Sequence, residues 1–273
     1  MRFLFSFLVF LNFSPAAFAA SGLPRIVSLN LCADPYLMAF ADKTQIAALT
    51  HLSRDPNFSA YAEAAQAFPV SDGQIESLID LKPDVVIVSR WSNSMRNALI
   101  EQLGFKLLAL DASQNFTAAR EEIMRLGAAI GRSEAARAYL ARLDNAMAAI
   151  EKPKIKPRIL PLQRRNVTAG AGHIMDDIIS RAGGINLGRN GKADIMSRIS
   201  LENALAARAD FILLNETQSA ADSRGMEFLT HPALAMHYAN AQRLFIDNNL
   251  LVCAGASTPR AIRALVKQLT PDP

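Results

Sequence analysis

Two stretches set one above the other decide the fold. They are Gln74-Ile75-Glu76-Ser77-Leu78-Ile79-Asp80-Leu81-Lys82-Pro83-Asp84-Val85-Val86-Ile87 and Ile199-Ser200-Leu201-Glu202-Asn203-Ala204-Leu205-Ala206-Ala207-Arg208-Ala209-Asp210-Phe211-Ile212. Each reads as a short helix carrying a Glu, then a basic residue, then an Asp that opens an apolar strand. Glu76 precedes Asp84 by eight positions, and Glu202 precedes Asp210 by the same interval. A helix-then-buried-strand unit in each half of the chain implies two α/β lobes. A single Glu on a helix is ordinarily just solvated. Its matched placement in both halves raises a shared role for Glu76 and Glu202.

Working outward, the first half alternates strands with helices. Arg25–Leu29, Gln45–Leu49, Val85–Val88 and Lys106–Leu110 are apolar enough to be buried strands. Ala33–Ala41, Ile75–Ile79 and Asn93–Leu103 are helical. Such alternation predicts a parallel sheet with helices on its faces. A helix over Thr117–Ile130 stops at Gly131, and a second begins at Ser133, which is suited to cap it. Ala136, Leu140, Leu143, Met147 and Ile150 lie on one face of that helix, and Pro153 ends it. Ser133–Glu151 would extend about 28 Å at about 1.5 Å per residue. The second half then repeats the plan. Arg158–Leu162, Phe211–Leu214 and Arg243–Ile246 are its strands, with helices over His173–Ala182, Leu201–Ala207 and Pro259–Leu269. The expected fold class is α/β, with two Rossmann-like lobes joined by a single long α-helix. Residues 20–132 form the first lobe, 133–151 the linking helix and 152–273 the second lobe.

The 273 residues are 51% hydrophobic and 20% charged, which argues against a disordered chain. Two cysteines exclude a disulfide-dense scaffold or a multi-Cys metal module. A net charge of +4, with basic residues scattered, gives no support for nucleic-acid binding. Residues 1–19 read as a secretory signal. Arg2 supplies the charge, Phe3–Phe13 the apolar run, and Ala17-Phe18-Ala19 the small-x-small cleavage pattern. That run is too short to span a bilayer, which takes about 20 residues. The mature protein is expected in an oxidising compartment, and a Gram-negative periplasm fits best.

The chain resembles the periplasmic substrate-binding proteins of iron-siderophore, cobalamin and haem ABC importers, and within them a cobalamin-binding-like branch. The resembling motifs are Arg25-Ile26-Val27-Ser28-Leu29, the Glu76…Leu81-Lys82-Pro83-Asp84-Val85-Val86 block, Ala182-Gly183-Gly184-Ile185-Asn186 followed by Ile199-Ser200-Leu201-Glu202, and Ser257-Thr258-Pro259-Arg260-Ala261-Ile262. Each is weak alone, but they follow the family's order along nearly the whole mature chain. The resemblance implies a cleft between lobes that captures a metal chelate, cobalamin or a ferric siderophore ahead of haem. It also implies delivery to an inner-membrane permease dimer with its ATPase, with Glu76 and Glu202 docking on the two permease halves. A monomer without a resident cofactor is expected.

Candidate ligand contacts come from the loops that would face the cleft. The first lobe offers Asn30, Cys32, Asp34, Ser53, Arg54 and Arg90, together with Trp91, the single tryptophan. Trp91 is either a core residue or a flat platform for a macrocycle, and its polar neighbours favour the platform. The second lobe offers Thr168 and Gly170 in a small-residue loop before a helix, where a ligand can approach the backbone. Arg164 and Arg165 lie just upstream and suit carboxylate or catecholate groups, although an ordinary solvated surface is the favoured reading of both. Cys32 and Cys253 fall in cleft loops of opposite lobes. A disulfide between them ranks first, with two free thiols and a thiolate contact to the ligand as the open alternatives. The four histidines show no metal-ligand spacing. Tyr36, His51 and His173 are conceivable haem ligands, and nothing selects among them. The competing classes are an exported thiol-dependent or hydrolytic enzyme and a redox- or ligand-sensing protein. The enzyme lacks support from any Gly-x-Ser-x-Gly or Cys-x-x-Cys motif.

Overall fold

The computed structural model describes residues 22–91, 94–189, 195–215 and 225–270, so the expected signal segment lies outside the described residues. The chain builds two parallel sheets in succession. The first uses β1 (Ile26–Ser28), β2 (Ile46–Thr50), β3 (Val70–Ser71), β4 (Val85–Ser89) and β5 (Lys106–Leu110) in the order β3-β2-β1-β4-β5. Helices α1 (Asp34–Phe40), α2 (Ala62–Ala65), α3 (Ile75–Leu81) and α4 (Ser94–Gln102) make the crossovers. Then come α5 (Phe116–Ala129) and α6 (Ser133–Ala148). The second sheet uses β6 (Arg158–Leu162), β8 (Ile185–Asn186), β10 (Phe211–Leu214) and β11 (Arg243–Phe245) in the order β11-β10-β6-β8. A small antiparallel pair, β7 (Val167–Ala169) with β9 (Met196–Arg198), stands beside it. Its helices are α7 (Ile174–Arg181), α8 (Leu201–Ala206), α9 (Pro232–His237) and α10 (Thr258–Leu269). Among the described residues no helix is long and apolar enough to cross a membrane.

Each sheet is covered on both faces, and strand alternation sorts the core. Ile26, Val85 and Ile87 face α1, α5 and α6, whereas Val27, Val86 and Val88 face Leu78 of α3 and Ile100 of α4. In the second lobe Ile159, Leu213 and Leu244 pack with α7 and α10, while Leu160, Leu162, Ile212 and Leu214 pack with Ala204 and Leu234 of α8 and α9.

The repeated motif turns out to be a structural clamp, and it takes the same form in both lobes. The backbone N–H of Arg25 donates to Asp84 Oδ2 at 2.7 Å, and Arg25 Nε donates to the Leu81 carbonyl at 2.8 Å. In the second lobe the Arg158 N–H donates to Asp210 Oδ2 at 2.7 Å, and Arg158 Nη2 donates to the Ala207 carbonyl at 3.1 Å. The basic residue of each motif turns the chain through the left-handed region, with φ of 46° at Lys82 and 50° at Arg208.

Helix α6 carries the chain from one sheet to the other. It packs on α5 and α1 of the first lobe and on α10 of the second, and Met147 touches both cores. It is shorter than expected. Gly131, at φ 72°, ends α5 so abruptly that Arg132 occupies the cap and Ser133 is already helical. The helix stops at Ala148, so its length is about 24 Å at about 1.5 Å per residue.

Candidate functional site

Open α/β sheets bind ligands beyond the carboxyl ends of their strands, where strand order reverses. That point lies between β1 and β4 in the first sheet and between β6 and β10 in the second. Asn30–Cys32 and Arg90–Trp91 therefore flank the crevice in one lobe, and Gln163–Asn166 and Asn215 in the other. Loops from the carboxyl ends of the two sheets meet between the lobes, where Cys32 after β1 is bonded to Cys253 after β11.

On the first lobe Trp91 is 82% exposed. It is not a core residue, and its ring is free to stack against a ligand. Beside it Arg90 Nε pairs with Asp111 Oδ1, just beyond β5, at 2.7 Å, with both side chains about half exposed. The remaining first-lobe candidates serve the loops themselves. Asn30 donates to the Val88 carbonyl at 3.2 Å and accepts the Cys32 N–H at 2.9 Å, which closes an Asx turn. Ser53 is fully buried on the Thr50 carbonyl at 2.7 Å, and Arg54 donates to the Ala65 and Phe68 carbonyls around the end of α2. Asp34 is fully buried and accepts the Thr50 N–H at 3.1 Å, while its Oδ1 has no partner. Burial pushes its carboxyl well above the usual carboxylate range. In this conformation Asn30, Asp34 and Ser53 are buried, and all three, with Arg54, spend their polar groups on the backbone of their own lobe.

The second lobe shows the same division. Thr168 is buried on the Pro161 carbonyl at 2.7 Å, and the Gly170 N–H donates to the Ile195 carbonyl at 2.8 Å. His173 caps α7, its Nδ1 accepting the Met175 N–H at 3.1 Å, and burial lowers its pKa. Arg165 and Asn166 hold left-handed backbones at φ 59° and 58°, fixed by Arg165 N–H to Gly225 O and Ile199 N–H to Asn166 O, both 2.8 Å. The exposed His51 sits in a single turn after β2.

Away from Trp91 the lobes are joined. Cys32 and Cys253 form a disulfide with Cα atoms 5.4 Å apart, so neither presents a thiol or thiolate. Tyr36 donates its hydroxyl to the Ala254 carbonyl at 2.8 Å, and Tyr61 donates to the Ala256 carbonyl at 2.7 Å. In return Asn249 donates to the Pro56 carbonyl at 2.8 Å and Arg260 to the Ala60 carbonyl at 2.6 Å. Gly255, at φ 111°, lies so close to Tyr36 that a Cβ there would sit 2.1 Å from the phenol oxygen. Recesses of about 300 and 220 Å³ flank the bond, each with internal room for about one water. Tyr36 is 3% exposed, so it is no haem ligand in this state. Among the described residues no three His, Cys, Asp or Glu side chains converge on a metal position.

Glu76 and Glu202 occupy the first turns of α3 and α8, and both are exposed. Their helices hold equivalent places in the two lobes, each following one strand and leading through the Arg–Asp clamp into the next. The profile of the periplasmic binding protein family matches residues 26–247, across both sheets. The chain belongs to that family. A comparison with curated proteins finds no match. Among solved structures, this periplasmic binding protein is similar to the periplasmic heme-binding protein HutB of Vibrio cholerae. The two are 17% identical, with a TM-score of 0.74 over 90% of this chain and 99% of that one. It is also similar to a periplasmic heme-binding protein from Pseudomonas aeruginosa, at 22% identity and TM-score 0.67 over 92% and 94%. A third likeness is to the vitamin B12-binding protein BtuF of Vibrio cholerae, at 22% identity and TM-score 0.58 over 90% and 96%.

The residues that fasten the two lobes of this binding protein are not legible as bridges in the sequence, although Tyr36 and Arg260 stand out there for other reasons. Tyr36, Tyr61 and Arg260 bridge the lobes, and Asp177 of α7 accepts the Phe116 N–H of α5 at 2.9 Å. Only Gly255, in a run of small residues before Pro259, could have been suspected of a close approach.

Proposed function

We propose that this periplasmic binding protein is the exported receptor of an ABC importer and carries a metal chelate between its lobes. The observation that carries the reading is the near full-length likeness to receptors for heme and vitamin B12. In this reading residues 1–19 are removed on export to the periplasm, and residues 20–132 and 152–273 form lobes joined by 133–151. The receptor is a monomer that binds and does not transform its cargo. Trp91 stacks on the chelate, and Arg90, exchanging Asp111 for the ligand, meets its acidic groups. Arg164 and Arg165 stand at the facing switch point. Glu76 and Glu202 dock on the permease, where rim charges chiefly steer and orient association.

The test uses the single tryptophan. Hemin, cobalamin and a ferric catecholate are titrated against Trp91 fluorescence, hemin first because heme receptors recur among the similar structures. One of the three should quench saturably and be recovered unchanged. Silence from all three, or chemical turnover, would sink the proposal. Glu76→Ala with Glu202→Ala should abolish uptake in cells while leaving the titration unaltered. Normal uptake in that double variant would remove the docking role.

A further inference from the structure

We infer that the Cys32–Cys253 bond is a redox-controlled latch that sets whether the lobes are held at one spacing. The inference rests on the two-lobe architecture and not on which chelate is carried.

The interlobe contacts fall into two groups of different character. One edge is a hinge. Along it α6 runs continuously between the lobes, Asp177 accepts the Phe116 N–H at 2.9 Å, and the Arg181 guanidinium lies 5.2 Å from the Phe116 ring centroid. The other edge is a strap, residues 248–257, laid over the loops and helices that follow β1 and β2. Its inner end belongs to the second lobe, where Leu250, Leu251 and Ala254 sit in that core, while Ala256 is buried in the core of the first. Gly255 gives the strap a shape that no other residue reproduces beside Tyr36.

Apart from this fit and the buried Ala256, the strap is held by non-covalent polar contacts. Tyr36 and Tyr61 reach it through neutral hydrogen bonds to carbonyls, and such bonds exchange for water at little net gain. Asn249 adds a neutral bond to the Pro56 carbonyl, and Arg260, on α10 beyond the strap, adds a charge-assisted bond to the Ala60 carbonyl and lies 5.4 Å from the Tyr61 ring centroid. The disulfide is the one covalent link on this edge. Both cysteines are half-buried rather than enclosed, and recesses border the bond on two sides. The recesses themselves hold little more than a water, but the partial exposure of Cys32 and Cys253 lets a dithiol reductant reach the bond with the lobes still folded. Its thiolate attacks one sulfur to give a mixed disulfide, then its second thiol displaces the remaining cysteine. Two electrons and two protons pass to Cys32 and Cys253, which end as thiols, and the reductant ends as a disulfide. With the link gone, the strap edge opens about the hinge edge.

The experiment reads lobe spacing by single-molecule energy transfer. Dyes go on unnatural amino acids replacing Glu101 on α4 and Met236 on α9, both exposed and neither a cysteine. The oxidised protein should show one narrow distance. With a dithiol added, or in Cys32→Ser with Cys253→Ser, the distribution should broaden about twofold or split while circular dichroism stays native. Tyr36→Phe with Tyr61→Phe, bond intact, should keep the narrow distance. An unchanged narrow distance in the reduced, folded protein would overturn the latch. So would loss of native circular dichroism on reduction, because the bond would then be a staple of the fold. Broadening in the tyrosine variant with the bond intact would overturn it too. Failure of all three chelates to bind leaves this measurement unaffected.

Discussion

At the residue scale, the buried Asp34 and the half-buried His173 set opposite pH dependences. Burial raises the Asp34 carboxyl, so folding favours its neutral form. The stability this confers is complete below the ordinary carboxylate value of about 4 and is lost as pH rises through the folded value. Asp34→Asn keeps the neutral form at every pH. Its thermal midpoint should exceed that of the wild type at pH 8, with the difference shrinking toward pH 4. A constant difference across that range would show that Asp34 does not titrate with folding. His173 works the other way. Its pKa is lowered by burial, and its Nδ1 must stay unprotonated to accept the Met175 N–H. That stability is present above the ordinary histidine value of about 6.5 and is lost as pH falls through the folded value. His173→Asn keeps a side-chain acceptor at the cap and cannot be protonated there. Melting curves between pH 7 and 5 should fall less steeply for the variant than for the wild type. This scale also shows where sequence reading reaches its end. Asn30, Ser53 and Thr168 look like cleft polar groups in the sequence, but short polar side chains bond to nearby backbone as readily as to a ligand. The exposure of Trp91 was legible because its neighbours in the chain are polar.

At the element scale, the repeated helix–strand unit was readable because its apolar runs are buried on both sides. Arg158–Leu162 and Phe211–Leu214 have the bounds expected for that reason, and the edge strand Lys106–Leu110 has them too, between Gly104 and Asp111. The two-residue strands β3 and β8 and the pair β7–β9 carry too little periodicity to announce themselves; Met196 and Arg198 are exposed and only Ser197 between them is partly covered. The motif itself was legible as a repeat, but its architectural half was not. Asp84 and Asp210 matter through Arg25 and Arg158, each more than fifty residues away, and only pairing of β1 with β4 and of β6 with β10 brings them together. Asp84→Ala and Asp210→Ala should each cost about 1–3 kcal/mol in urea unfolding, the usual worth of a charged hydrogen bond. Glu76→Ala, exposed and outside the clamp, should leave stability within about 0.5 kcal/mol. Comparable losses in all three variants would undo the division between clamp and docking residue.

At the scale of the whole molecule, two lobes about one helix could be read from the chain, whereas the closeness of their fastening could not. Hydrogen bonds from tyrosine hydroxyls to carbonyls about two hundred residues away leave no local pattern. Because the oxidised lobes are fixed along both edges, solution scattering should give the same radius of gyration with and without bound chelate. A contraction on binding would mean that the cleft closes despite the bond.

The disulfide joins positions 221 residues apart, so Cys32 is made long before its partner. The first lobe's core also waits for Ala256, which follows Cys253 closely. Until residues 253–256 arrive, the first lobe lacks both the partner of Cys32 and the side chain that completes its core. A chain truncated before Cys253 should therefore present a Cys32 thiol that a thiol-reactive probe can count.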